Sequence, residues 1–236
     1  MPFPAHALTV YHYPARKIRL GRPHDGGYVI ADLPGGYDVL LSGGLGDDDS
    51  FERAILAHHS DIPAAHIWDA TVASLPSPHP LLRHHRKNIG PAADPLTENL
   101  HAHLAASKNA FLKLDIEGSE YAWASALPPH LLASVRQLVV EIHDPWAPYR
   151  WEIIELLAAH LDLIHLHPNN YGTVRTVEGI ALPQCLELTY IRKPAPGAPP
   201  RTPSRELIPT PLDQKNHPGA PDITLRGHPY PSPAPL

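Results

Sequence analysis

DVLLSGGLGDDDSFE (38–52) decides the fold: an apolar run, a glycine turn, three successive carboxylates and the start of a helix. The run reads as a strand buried on both faces, and its polar end as the carboxyl edge of a parallel sheet. HIWDAT (66–71) and FLKLDIEGSE (111–120) repeat the design. In open α/β sheets that edge is where ligands bind. A glycine turn opening a helix ordinarily suits a phosphate. Asp47, Asp48 and Asp49 suit the helix dipole but would repel a pyrophosphate. A positively charged nucleoside without phosphates fits this pattern better.

Outward from that centre, KIRLGRPHDGGYVIADL (17–33) reads as two short strands around an Asp25-Gly26-Gly27 turn. The first parallel strand is expected at 38–42, and a helix follows over 50–59 with Asp49 or Ser50 as its cap. AAHIWD (64–69) is the second strand. The link TVASLPSPHP (71–80) is too short and proline-rich for a crossover helix. Residues 81–90 read as the third strand, 95–108 as a helix from near Thr97, and 111–118 as the fourth strand. A short helix over 119–127, a fifth strand at 135–143 and an amphipathic helix over 146–161 follow, the last with Trp151, Ile154, Leu157 and Ala158 on one face. LDLIHLHPNN (161–170) and QCLELTYIRK (184–193) are strands six and seven. Strands alternating with helices, then two strands without one, predict a mostly parallel α/β sheet of seven strands whose last is antiparallel.

The expected organisation is an N-terminal segment with the β-hairpin (1–34), one α/β domain (35–193) and a Pro-rich C-terminal tail (194–236). The 30 prolines crowd into 76–95 and 194–236; PAPGAPPRTPSRELIPTP (194–211) cannot be regular structure, and the tail is either a disordered extension or a strap laid over the fold. Within the tail, 208–225 regains apolar residues and reads as a strap laid over the fold. A chain of 236 residues suffices for one well-cored domain. No run approaches the roughly 18 apolar residues of a membrane helix, and the N-terminus lacks signal-peptide order. The single cysteine, Cys185, excludes an internal disulfide and a zinc site built from cysteines. Together these predict a soluble cytoplasmic protein without a membrane partner. A net charge of −5 and no Lys/Arg stripe argue against nucleic acid. A homo-oligomer is left open.

Asp69, about twenty-five residues past the glycine turn, ends the second strand. There it can accept from ribose hydroxyls or cap a turn. Three strand ends carry polar pairs at spacing two: Asp115/Glu117, Glu141/His143 and His165/His167. Residues at that spacing face the same way, so each pair enters one cleft or holds a divalent metal. If the seventh strand inserts between the fifth and sixth, strands four and six lie about 14 Å apart, too far to share one ion. The candidate metal set is therefore Asp115, Glu117, Glu141 and His143, with His167 left for substrate. Asn169-Asn170-Tyr171-Gly172 is a turn whose amides could also recognise a polyhydroxyl compound.

FLKLDIEGSEYAWASAL resembles the LKxDxEGxE signature of FkbM-type S-adenosylmethionine (SAM)-dependent methyltransferases. RLGRPHDGGYVI, SGGLGDDDSFE, HIWDAT, VVEIHD, LIHLHPNNYG and CLELTYIRK resemble a subgroup related to methyltransferase-like protein 24. The resemblance spans about 17–193, and LDQKNHPGAPDITL extends it. It implies a class I, Rossmann-like fold with strand one central, strands two and four beside it, and strand seven between five and six. SAM would lie over the carboxyl ends of the first strands. Gly43, Gly44 and Gly46 would approach its methionine part, Asp69 its ribose and Asn88 its adenine. Asp115 would lie beneath the transferred methyl, near Glu117, Glu141 and His143.

Many class I enzymes carry an acid where this chain has Ser42, so contact to the SAM ammonium must come from Asp47, Asp49 or Asp25. Ser50, beside Asp49, joins the cofactor set, and Asp25 and Tyr28 place the hairpin over it as a flap. The implied reaction is O-methylation of a sugar or other natural-product hydroxyl, a small-molecule or saccharide acceptor. His143 is then the first choice of base and His167 the second. Asp115 and Glu141 would orient the base or hold Mg²⁺ or another divalent ion. The rival readings are a non-catalytic SAM-binding module and a nucleotide-sugar or NAD-dependent enzyme. The Asp47–Asp49 run speaks against the second.

Overall fold

The computed structural model describes residues 2–195 and 197–232; Pro196 and the last four residues of the tail lie outside them. Seven strands form one sheet: β3 (Val39–Gly43), β4 (Ala65–Trp68), β5 (Leu82–His85), β8 (Ala110–Leu114), β9 (Val135–His143), β10 (Leu161–Pro168) and β13 (Cys185–Arg192). Their spatial order is β10-β13-β9-β8-β3-β4-β5. β13 runs antiparallel to both neighbours, and the other pairings are parallel. This is the doubly wound, Rossmann-like order expected of the sequence, with β3 at the point where the winding reverses.

The central strands are continuous apolar runs because both faces are covered. All five residues of β3 and of β8 are buried. One face packs on α3 (Glu120–Ala126) and α4 (Trp151–His160), where Trp123, Trp151, Ile154 and Leu157 are buried. The other packs on α1 (Ser50–His58) and the hairpin β1 (Lys17–Gly21)–β2 (Gly27–Ala31), through Tyr28, Ile30, Phe51 and Ile55. Each such side chain contributes roughly 1.5–3 kcal/mol on burial.

Several local expectations are corrected. The hairpin turn is longer than Asp25-Gly26-Gly27: the last pair is Gly21↔Gly27, and residues 22–26 loop between them. Neither Asp49 nor Ser50 caps α1 with its side chain. Asp48 Oδ1 accepts from Ser50 N at 3.1 Å, while Asp49 forms a two-pronged salt bridge with Arg53 at 2.8 Å. The third strand stops at His85; Asn88–Ile89 (β6) instead pairs with Thr97–Glu98 (β7). The helix foreseen over 95–108 is only α2 (His101–Ala106). Asp94 Oδ1 accepts from the amides of Leu96 and Thr97, and Leu100 has φ +63°, so no helix can run through the segment.

The tail behaves as a strap. Ile208 bridges Leu225, and Tyr11 bridges Pro203. Asp213 Oδ1 meets His165 Nε2 at 2.8 Å with both side chains buried. Asn216 Nδ2 reaches Glu187 Oε1 at 2.5 Å and Asp25 Oδ1 at 3.2 Å, tying hairpin to sheet. Asn170 likewise holds the strap through His217 N at 2.8 Å and His217 O at 3.0 Å.

Candidate active site

A cavity of about 450 Å³ opens outside the carboxyl ends of β3, β4 and β8, at the reversal of winding. Its floor is the turn Gly44-Leu45-Gly46. Gly44 has φ +79°, and a Cβ there would stand 1.6 Å from the Asp115 carbonyl oxygen, so no side chain fits. Gly43 stands just behind, where a Cβ would meet Ile89 Cδ1 at 2.4 Å.

Asp69 lines the cavity, and its carboxylate is already engaged. Oδ2 accepts from Leu45 N at 2.8 Å and Gly46 N at 2.9 Å; Oδ1 accepts from Thr71 N at 2.7 Å and Thr71 Oγ1 at 2.5 Å. Although burial opposes it, these bonds lower its pKa to about 2. Asp69 is thus a clamp on the glycine turn, which is the turn-capping alternative open at the outset. Asn88 stands in the wall beside Ile89, on the side foreseen for a base.

A buried acid stands beside Ser42, carried by α1. Glu52, 1% exposed, lines the cavity and accepts from Ser42 Oγ at 2.5 Å. Burial raises its pKa, against the pull of Lys113 and the Ser42 hydrogen bond. Lys113 Nζ donates to the Gly44 carbonyl at 2.5 Å and stands 4.0 Å from Asp115 Oδ2. Asp25, Asp47 and Asp48 line the mouth, with Arg22 Nε 3.2 Å from Asp48 Oδ2. Asp49 and Ser50 do not line the cavity: Asp49 faces Arg53, and Ser50 Oγ accepts from Arg22 N at 2.8 Å. The hairpin places Asp25 and buried Tyr28 in the cavity wall.

At the far end Tyr28 OH donates to Asp115 Oδ2 at 2.8 Å. Burial, then the charges of Asp115, Glu141 and Glu187, holds this phenol well above its ordinary pKa. Behind Asp115 the register aligns Glu141, Glu187 and His167 across β9, β13 and β10. Burial, reinforced by Asp115 and Glu187, pushes the Glu141 carboxyl well up. His143 sits among Glu120 (3.3 Å), Glu117 (3.4 Å) and Glu141 (3.5 Å). Burial would lower its pKa, but the Glu120 hydrogen bond and the charges of Glu141, Glu120 and Asp115 raise it to about 9. The surrounding carboxylates favour its imidazolium form, and His143 does not line the cavity. His167 is 2% exposed, bonded through Nδ1 to Glu187 at 2.9 Å, and does not line the cavity.

The four foreseen metal ligands do not form one group. Among the described residues, Asp115, Glu117 and His143 bring donor atoms within 4.8 Å of one another, and so do Glu141, His143 and Cys185. Glu117 lies at φ +56°, a strained backbone for a non-glycine residue and one found at functional turns. Sequence reasoning missed Glu52, Lys113, Glu120, Glu187 and Cys185. The alternation of β13 would have flagged Cys185 and Glu187, which share a face with Glu141 and His143 through the strand pairing.

No protein-family model and no curated protein sequence matches the chain. Among solved structures it is similar to TrmN from Thermus thermophilus, at 11% identity and TM-score 0.34 over 67% of this chain and 45% of that one. It is also similar to the precorrin 8W decarboxylase of Methanobacterium thermoautotrophicum, at 12% identity and TM-score 0.32 over 67% and 83%. The pyocyanin biosynthetic protein PhzM gives 10% identity and TM-score 0.30 over 69% and 52%. The chain spans less than half the length of TrmN. Likenesses this distant assign no activity, and the fold class rests on the strand order itself. Among the described residues no helix is long and apolar enough to cross a membrane.

Proposed function

We propose that the chain is a SAM-dependent methyltransferase acting on a hydroxyl of a sugar or other small natural product. The observation that supports this best is the acidic cavity at the winding reversal, floored by a glycine turn that admits no side chain. The residues present fit the cofactor. About 450 Å³ accommodates a nucleoside with an amino-acid arm. Glu52 and Asp25 offer carboxylates to an ammonium and a sulfonium, while Asp47 and Asp48 disfavour a pyrophosphate.

Bound SAM would supply an electrophilic methyl on sulfur. The chain's own contribution is largely positioning, which can be worth roughly 7–11 kcal/mol of barrier. Tyr28 and the Lys113 ammonium fix Asp115 at the end of the cavity remote from Asp69. Asp115 is the carboxylate placed to take the acceptor's proton, since His143 and His167 do not line the cavity. The hairpin covers this end and keeps water from the reacting centre.

The test is isothermal titration with S-adenosylhomocysteine, with NAD(H) in parallel, followed by turnover with a panel of hydroxyl compounds. Micromolar binding of S-adenosylhomocysteine alone, with methylated product, is the expected result. NAD(H) binding in its place, or no binding of either, overturns the assignment. Binding without turnover on any hydroxyl would leave a SAM-binding module and refute the catalytic claim.

A further inference from the structure

The antiparallel pairing of β13 with β9 sets Cys185 directly opposite His143, and Glu187 opposite Glu141. Alternation along each strand then puts Cys185, His143 and Glu141 on one face of the sheet. Their Sγ, ring nitrogen and carboxylate oxygen lie within 4.8 Å of one another. Glu141 Oε1 is 3.5 Å from His143 Nε2, close to the separation of two ligands on one small tetrahedral ion. The opposite ring nitrogen, Nδ1, is held by Glu120 Oε1 at 3.3 Å. A histidine whose second nitrogen is fixed by a carboxylate is the usual support of a metal-bound imidazole. Glu120 is wholly buried, its Oε2 has no hydrogen-bond partner among the described residues, and its Oε1 accepts from Ile116 N at 3.0 Å besides meeting His143. Glu117 Oε2 reaches the same imidazole Nε2 at 3.4 Å from the exposed turn, which gives an ion a way in.

We infer that Cys185, His143 and Glu141 form a three-residue binding site for a borderline-soft divalent cation of the zinc type, with the fourth position left to water. A thiol beside an imidazole and carboxylates selects such an ion over magnesium, which prefers oxygen ligands and water. Binding takes the Cys185 thiol as a thiolate and His143 as the neutral imidazole, and the protons released pass to solvent. Cys185 Sγ and Glu141 Oε1, now in direct contact, must part by about 1 Å to accept zinc–sulfur and zinc–oxygen bonds of about 2.3 and 2.1 Å. The site itself does not depend on the methyltransferase reading. If that reading holds, an ion here neighbours Asp115 and would acidify an acceptor hydroxyl.

The experiment loads full-length, chelator-treated protein with Co²⁺ as a spectroscopic stand-in and titrates Zn²⁺ against it. One equivalent of Co²⁺ with a thiolate charge-transfer band, displaced by Zn²⁺ and not by Mg²⁺, is expected. Cys185→Ser should abolish the band and weaken Zn²⁺ at least tenfold, and His143→Gln should weaken it similarly. Co²⁺ binding without the band, or Zn²⁺ binding unchanged in Cys185→Ser, overturns the site. Should either variant fail to fold, the wild-type spectrum decides by itself. S-adenosylhomocysteine titration of the metal-free protein reports on the methyltransferase reading separately.

Discussion

Replacing Asp69 by asparagine tests the glycine turn most directly. The carboxylate serves four donors, two on the turn and two on Thr71. Its pKa lies near 2 against an ordinary 3.8, a difference worth about 2 kcal/mol of folding stability. Asparagine keeps one acceptor oxygen and turns an amide donor toward the other pair. The loss of bonds to a charged acceptor brings the expected destabilisation to about 2–4 kcal/mol. The native pKa is depressed, so this stabilisation is complete above the ordinary value and is lost as pH falls toward 2. Urea unfolding from pH 7 down to pH 2 should show a lower midpoint at neutral pH. The variant's stability should also fall less on acidification than that of the wild type. S-adenosylhomocysteine affinity should drop as the Leu45–Gly46 segment slackens. An unchanged midpoint with an unchanged acid dependence would refute the clamp.

Glu52→Gln keeps the shape at the cavity floor and removes the buried acid. Calorimetry should show about tenfold weaker S-adenosylhomocysteine binding with little loss of stability, and equal affinity would remove Glu52 from the ammonium contact. Glu117→Gly relieves a left-handed backbone and should raise stability by about 1 kcal/mol in thermal unfolding; a lower midpoint would show that the turn is unstrained. Asp213→Asn weakens the buried contact to His165 and should cost about 1–3 kcal/mol. Limited proteolysis should then cut the strap faster than in the wild type, and an unchanged rate would show that it is held elsewhere.

The strands were legible because burial on both faces writes them as apolar runs, as in VLLSG and AFLKL. Their spatial order came from resemblance, since periodicity carries no order. Residues 81–108 were misread where single polar side chains outvote propensity, as Asp94 does by capping two amides and ending any helix. Glu52 went unseen because reading a helix for its apolar face leaves a buried acid out of account. Asp69 was found by spacing, yet spacing cannot say that backbone donors would claim it. Cys185 was set aside by counting cysteines, whereas its pairing across β13 and β9 is a long-range fact.

The insertion of β13 between β9 and β10 also constrains biosynthesis. β10 is paired in the sheet with β13 alone, although its residues precede that partner by seventeen or more positions. A chain that folded as it left the ribosome would hold β10 without its partner strand, with the β9 edge beside it still open. Were β10 to zip onto β9 first, the slot would close in parallel register and shut out the final strand. The proline-rich segment that follows then has to settle last, and it seals a seam that did not exist until β13 arrived.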